Sequence, residues 1–146
     1  MTIIKHAILA VALTILFGCT GNFEATGNYD IKIRKPDIIV LETSVIDELN
    51  IQSKLISLLK GSGINIQEIA HAKKLIGINP NTSVFLINYD YDTKGDDSTS
   101  ITRFTARVYN LDREDFEIVK INFVGDRHVD DVLGLFANEL KMRVIP

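Results

Sequence analysis

Alternating apolar and polar residues mark the middle of the chain as a run of antiparallel strands. The clearest stretch covers residues 99–109, where Phe104, Ala106 and Val108 fall on one face and polar residues fall on the other. Similar stretches at residues 83–91 and 116–123 flank it, and the connections between them are short and polar. The pattern predicts a three-stranded antiparallel meander.

Helical spacing of apolar residues appears on both sides of this meander. Residues 45–60 carry an apolar stripe that follows Ser44, a candidate N-cap, and ends at Gly61. A second stripe covers residues 129–144, with Asp126 as its candidate cap, and a third, ambiguous one covers residues 68–76.

Shorter strand signals precede and separate these helices. Residues 29–34 alternate, residues 37–42 form a short apolar run, and Ile64 and Ile66 indicate a brief strand. Together these elements predict an α+β fold, with a single layer of mostly antiparallel sheet and helices packed on one face.

The amino terminus has a different pattern, which ends at the single cysteine. Lys5 supplies a positive charge, Ala7 to Phe17 are uncharged and mostly apolar, and Gly18 precedes Cys19. An apolar run of this length is typical of a signal peptide, since a membrane-spanning helix needs about 20 residues. The stretch from Leu16 to Cys19 resembles the lipobox of bacterial lipoproteins.

This resemblance implies that Cys19 is the lipidated first residue of the mature chain, which is anchored in a membrane by its acyl chains (palmitate among them). Thr20 follows where an aspartate would, in that family, signal retention in the inner membrane. We therefore expect the outer membrane, with the protein facing the periplasm. The alternatives are a buried cysteine in an ordinary apolar segment or an uncleaved membrane anchor.

Length and charge limit the organisation of the remaining chain. We predict a signal peptide at residues 1–18, the lipidated cysteine and a flexible tether rich in small polar residues at 19–28, and one globular domain at 29–146. Cleavage removes Lys5 and takes the formal net charge from -3 to -4. That mild acidity argues against nucleic-acid binding, which requires a basic face.

No stretch of the sequence carries a convincing catalytic or metal-binding pattern. Residues 90–98 are similar to a calcium loop, but Lys94 occupies a ligand position and Ile101 stands where a bidentate glutamate is needed. His71 and His128 are not spaced as zinc ligands, and no serine lies in a nucleophile elbow. We expect no catalytic residues, no metal and no cofactor, and hence a protein that is not an enzyme.

Arg103 and Arg107 are the candidate partner contacts. Both lie on the polar face of the strand at residues 99–109, where they could present positive charge to an acidic partner or a lipid headgroup. The alternative is a face that is merely solvated.

A second resemblance covers most of residues 37–142. The order of residues 55–64, residues 72–77, the strand that includes Val84, and residues 128–133 resembles the amino-terminal domain of TolB-type periplasmic proteins. This resemblance implies a docking module, although no propeller follows, so the chain is not a TolB protein.

We therefore expect a membrane-anchored lipoprotein that binds a protein of the cell envelope or assembles with copies of itself. The alternative is a small ligand-binding protein or hydrolase whose site lies between sheet and helices, and a pocket that contains His71 or His128 beside a carboxylate would favour it.

Overall fold

The computed structural model describes residues 21–28, 32–43, 45–79, 81–95, 99–113 and 116–145. These residues form a six-stranded sheet in the order β1-β7-β6-β5-β3-β4 and a two-stranded sheet, β2-β8. The strands are β1 (Asn22–Gly27), β2 (Ile33–Arg34), β3 (Ile38–Thr43), β4 (Asn65–Ile66), β5 (Val84–Thr93), β6 (Ser100–Asn110), β7 (Phe116–His128) and β8 (Val144–Ile145). The helices are α1 (Ile51–Gly61), α2 (Ile69–Ala72) and α3 (Val129–Lys141), and Leu111–Arg113 form a 3-10 turn.

The predicted meander is confirmed as β5, β6 and β7, which are antiparallel in sequence order. Its register places Tyr91 beside Phe104, and Phe104 beside Phe123, so large side chains line up across the three strands. β3 pairs in parallel with β5 and β4, which makes the sheet mixed but mostly antiparallel. The α+β fold class is confirmed.

The core lies between one face of the sheet and helices α1 and α3. Phe104 is central to it, because its ring stacks on Tyr89 at 6.2 Å and meets Phe136 of α3 edge-on at 5.6 Å. Alternate residues of β3 face the other way, where Ile38 and Val40 form a second, smaller cluster with Ala72 of α2. The long helices thus cover one face, and only the β3–β5 end of the opposite face is covered by α2.

Strand β1 differs from the sequence prediction. Residues 22–27 were expected in an irregular tether, but they pair with β7 along their whole length, from Asn22 beside Val124 to Gly27 beside Val119. Phe23 and Ala25 pack against the main core, and the polar residues between them point away from it. The physical reason is that β7 offers a long edge that a short alternating segment can cover.

The start of α1 and the cap of α3 differ from the sequence prediction. The stripe from Val45 does not start a helix, because Asn50 has a left-handed backbone (φ 53°) and α1 begins only at Ile51. Ser44, the expected cap, lies outside the described residues. Asp126, expected to cap the last helix, lies instead within β7, and the His128 imidazole accepts a hydrogen bond from the Asp130 N–H at 3.3 Å.

Buried carboxylates fix the connections of the parallel strands. Asp37, which is 2% exposed, accepts hydrogen bonds from the backbone N–H groups of Arg34 (2.7 Å) and Ser83 (2.9 Å). It thereby joins the turn before β3 to the start of β5.

Among the described residues, no helix is long and apolar enough to cross a membrane.

Candidate binding surfaces

The predicted lipidation site lies just upstream of the sheet. Cys19 is outside the described residues, but Gly21 packs directly on β7, since a Cβ added at Gly21 would lie 2.5 Å from the Phe123 ring. A Cβ at Gly125 would lie only 2.3 Å from the Gly21 Cα, so the two strands approach closely at this point. Gly21, two residues after Cys19 in the sequence, is the first residue that the structure describes, and it lies against the end of β7.

Arg103 lies on the outer face, which we define as the sheet face opposite α1 and α3. Its Nε donates to the Asp92 carboxylate at 2.6 Å, and its Nη1 contacts the Asp90 carboxylate. The Arg103 guanidinium holds the pKa of Asp92 below its usual value. Most of its hydrogen-bonding capacity is thus used within the sheet.

Arg107 is less constrained. Its Nε lies 3.7 Å from the Glu117 carboxylate, and both side chains are exposed. The register also places Glu42 near Asn88, and Glu24 near Asn122, on this outer face. The two predicted contact residues therefore share one face, but each lies beside carboxylates instead of forming a continuous basic stripe.

The hairpin between β5 and β6 carries the calcium-like sequence. The side chain of Lys94, at its tip, contacts the Asp126 carboxylate of β7. Residues 96–98 of the loop lie outside the described residues. Across the part of the chain that the structure describes, no three His, Cys, Asp or Glu side chains lie together as a metal site would require.

The two histidines are not brought into a shared site. His71 lies on the exposed side of α2, and His128 caps α3, with its Nδ1 3.6 Å from the Asp130 carboxylate. Neither histidine lines either of two surface clefts that the structure shows, one of about 530 Å³ and one of about 360 Å³. The smaller cleft is shallow and borders the ion pair of Lys54 with Asp130 (2.6 Å).

The larger cleft lies at the free edge of the sheet, and we call it the edge groove. One wall is a single face of α1, formed by Gln52, Ile56 and Lys60. The opposite wall is Glu68 and Ile69, at the start of α2. Leu41 of β3, with Ile66 and Gln67, forms its floor.

The backbone at this floor is only partly paired. The short strand β4 pairs with Ile38 and Ile39 alone, and the Gln67 N–H then donates to the Ile39 carbonyl at 3.0 Å. Beyond that bond, no described strand lies beside residues 40–43 on this side. The Oε1 of Gln67 is buried and has no hydrogen-bond partner among the described residues.

Sequence reasoning did not identify the edge groove. Its polar residues form no recognisable motif, and the apolar run that contains Leu41 indicates only a buried strand. The groove depends on β4 pairing with β3 for two residues and then turning away into α2. The one available signal was the shortness of the apolar segment at Ile64 and Ile66.

Comparisons with known proteins identify a shared fold. No protein-family model matches the chain, and no curated protein sequence matches it. Among solved structures, the PelC dodecamer from Paraburkholderia phytofirmans is similar with a TM-score of 0.54 and 10% identity, covering 86% of this chain and 99% of the PelC chain. A single-residue variant of the same PelC dodecamer is similar with a TM-score of 0.52 and 8% identity, over 86% and 99% of the two chains. Both structures are of PelC, so the TolB-type resemblance stays a prediction. At this identity the chain is similar to PelC in fold.

Proposed function

We propose that the chain is a lipoprotein anchored through Cys19 in the outer membrane, with its domain in the periplasm, and that this domain binds a protein of the cell envelope. The observation that carries the proposal is the position of β1. The sheet begins at Asn22, three residues after Cys19, so an acyl chain there would hold the folded domain directly at a bilayer surface.

A binding role agrees with how the polar groups are used. The carboxylates of Asp37, Asp47 and Asp112 accept backbone N–H groups, so each has a structural role. Arg103 is paired within the outer face. The histidines, which the hydrolase alternative would require in a pocket, line neither of the clefts described above. The chain's surfaces therefore favour recognition over catalysis.

Metabolic labelling with a palmitate analogue tests the anchor. We expect the intact protein to be labelled and to fractionate with outer membranes, and Cys19→Ala to lose both properties. Unlabelled protein, or label that persists in Cys19→Ala, would contradict lipidation at this residue.

In-cell crosslinking of the intact protein tests the partner, with Cys19→Ala as the control. A discrete envelope protein that is captured by the anchored form and lost from the unanchored form would support the binding role and identify the partner.

Self-assembly is the second candidate function. Its support is the fold shared with PelC, which is a dodecamer in both solved structures. Native mass spectrometry of the detergent-extracted protein distinguishes self-assembly from binding of another protein. A closed assembly of identical subunits gives one multiple of the protomer mass, whereas a docking module gives the monomer or a mixed complex.

A further inference from the structure

The backbone of β3 has an open side at the edge groove. Residues alternate in the direction of their backbone groups along a strand, and the Ile39 carbonyl faces β4. The N–H and C=O groups of Leu41 and Thr43 therefore face the same side, past the end of β4. Val40 and Glu42, in turn, face β5. Two donors and two acceptors thus lie along this side of β3. Those of Leu41 are at the floor of the groove, and those of Thr43 follow beyond its lining residues.

A further acceptor lies beside this row. The Gln67 Oε1 is buried and has no partner among the described residues, although the other amide atom of Gln67, Nε2, lies 3.5 Å from Asn65 Oδ1. A buried acceptor without a donor destabilises the folded state, because it has lost its hydrogen bonds to water. A ligand that supplies N–H groups would remove that destabilisation.

The walls of the groove are suited to side chains that alternate in direction. On the α1 side lies Ile56, with Lys60 at the rim. On the α2 side lies Ile69, with Glu68 at the rim. An extended segment beside Leu41 and Thr43 would point successive side chains toward one wall and then the other.

We propose that the edge groove binds an extended segment of a partner protein, which adds to β3 as a further strand of the sheet and places apolar side chains against Ile56 and Ile69. This inference deepens the proposed protein-binding function and rests on it. The main-chain hydrogen bonds supply affinity, and the two walls supply the preference for alternating apolar residues.

A lone segment fits better than the edge of a second folded copy. Helices α1 and α2 line both sides of the groove, and a sheet edge that carries its own helical layer would collide with one of them. The chain's own amino terminus does not reach either. β1 is four strands away from β3, roughly 19 Å at the usual strand spacing, and after cleavage before Cys19 only three residues precede β1.

The test is titration of the full, isotope-labelled chain in detergent micelles with synthetic peptides. The panel consists of acetylated hexapeptides in which threonine alternates with valine, leucine or isoleucine, used up to about 1 mM. We expect saturable shifts of the backbone amide resonances of Leu41, Thr43 and Gln67. If no peptide in the panel shifts these resonances, the proposal is overturned.

N-methylated peptides distinguish strand addition from simple apolar contact. In a bound strand, alternate N–H groups face β3 and the others face solvent. Methylation of one alternate set is therefore expected to abolish binding, and methylation of the other set to leave it nearly unchanged. Equal effects of both sets would overturn strand addition.

A proline substitution tests the protein side. Thr43→Pro removes an N–H that lies on the open side of β3, next to the groove, and takes no part in pairing with β5, so we expect binding at least about tenfold weaker. Thr43→Val is the matched control, because it also removes the hydroxyl that accepts from Val45 N–H at 3.2 Å but keeps the amide. Unchanged amide resonances of β5 and β6 confirm folding in both variants, and equal binding by both would contradict the proposal.

The same pair of variants separates this inference from the proposed function. If an envelope partner captured in cells remains crosslinked to Thr43→Pro, the groove assignment fails and the binding function stands. If no partner is captured in cells while the peptides bind as expected, the groove stands and the envelope-binding function fails.

Discussion

The ring of Tyr89 stacks on that of Phe104 with centroids 6.2 Å apart and planes 26° from parallel, yet the Tyr89 hydroxyl is buried without a hydrogen-bond partner among the described residues. The packing of the Tyr89 ring therefore stabilises the fold, whereas its unpaired hydroxyl destabilises it. Burial raises the pKa of Tyr89, and the nearby Asp47 carboxylate raises it further.

Tyr89 is expected to make stability fall at high pH. Because its pKa is raised in the folded state, its stabilising contribution is complete below about pH 10 and is lost as the pH rises above that value. Between pH 9 and pH 11, about one unit on either side of the ordinary tyrosine pKa, the free energy of unfolding should fall for the parent protein. We expect it to fall less for Tyr89→Phe. Urea unfolding at the two pH values measures this.

At neutral pH, Tyr89→Phe is expected to be neutral or stabilising by up to about 1 kcal/mol, because it removes an unpaired buried hydroxyl and keeps the ring. A loss of more than about 1 kcal/mol would show that the hydroxyl has a partner.

Asp37→Ala is expected to destabilise the protein by about 2–4 kcal/mol, because it removes the acceptor of two partly buried hydrogen bonds, from the backbone N–H groups of Arg34 and Ser83. Asp37→Asn retains one carbonyl oxygen and should lose less. Denaturant unfolding measures both, and equal losses would show that the charge, and not the acceptor count, sets the effect.

Asp47 should stabilise the start of α1. Its two carboxylate oxygens accept the N–H groups of Ile51 (2.7 Å) and Gln52 (2.8 Å), so Asp47→Ala should cost about 1–2 kcal/mol. The exposed neighbour Glu48 provides the control, since Glu48→Ala should change stability by less than about 0.5 kcal/mol. If the two variants unfold at the same urea concentration, the capping role is excluded.

Gly125→Ala should displace β1 from β7. The added Cβ would lie 2.3 Å from the Gly21 Cα, and relief of such a contact typically costs about 1–3 kcal/mol. Hydrogen exchange of the amides in β1 should become faster in this variant. Gly134→Ala, in α3 with open space around the new methyl group, is the matched control and should instead stabilise by about 0.5–1 kcal/mol.

Arg107 is the better of the two predicted contact residues on the outer face. Arg107→Glu should reduce in-cell crosslinking to an acidic partner without loss of stability, because its carboxylate neighbour is 3.7 Å away and both groups are exposed. Arg103→Glu should also destabilise the β5–β6 pair, since it places a third carboxylate beside Asp90 and Asp92. Equal crosslinking by Arg107→Glu and the parent would show that Arg107 does not contact the partner, and would favour the alternative that this face is merely solvated.

Sequence alone identified the elements whose pattern is local. β6 alternates over its whole length and α3 has an apolar stripe from Val129 to Leu140, so periodicity was sufficient for both. Val144, which was predicted to continue the α3 stripe, lies in β8. The start of α1 was wrong, because the stripe from Val45 says nothing about the left-handed backbone of Asn50. β1 was missed although Phe23 and Ala25 alternate with polar residues, since its stability comes from β7, which lies far along the chain.

The candidate surfaces also differ in whether a local sequence pattern or the meeting of distant segments produces them. Arg103 and Arg107 were found because each lies two residues from Thr105, on the same polar face of one strand. The carboxylates that flank them come from other strands, and the edge groove is formed by three separate segments, so no local pattern could reveal either. The lipobox prediction falls on residues outside those described and remains a prediction.

The pairing of β1 has a consequence for the order in which the protein folds. Asn22 pairs with Val124, which lies 102 residues later, whereas β5 and β6 each pair with the strand that follows them in the sequence. Contacts of such long sequence separation form late, because a large loop must close before they are gained. We therefore expect β1, the first strand of the described residues, to be the last to join the sheet, and its apolar residues Phe23 and Ala25 to stay exposed until β7 has formed.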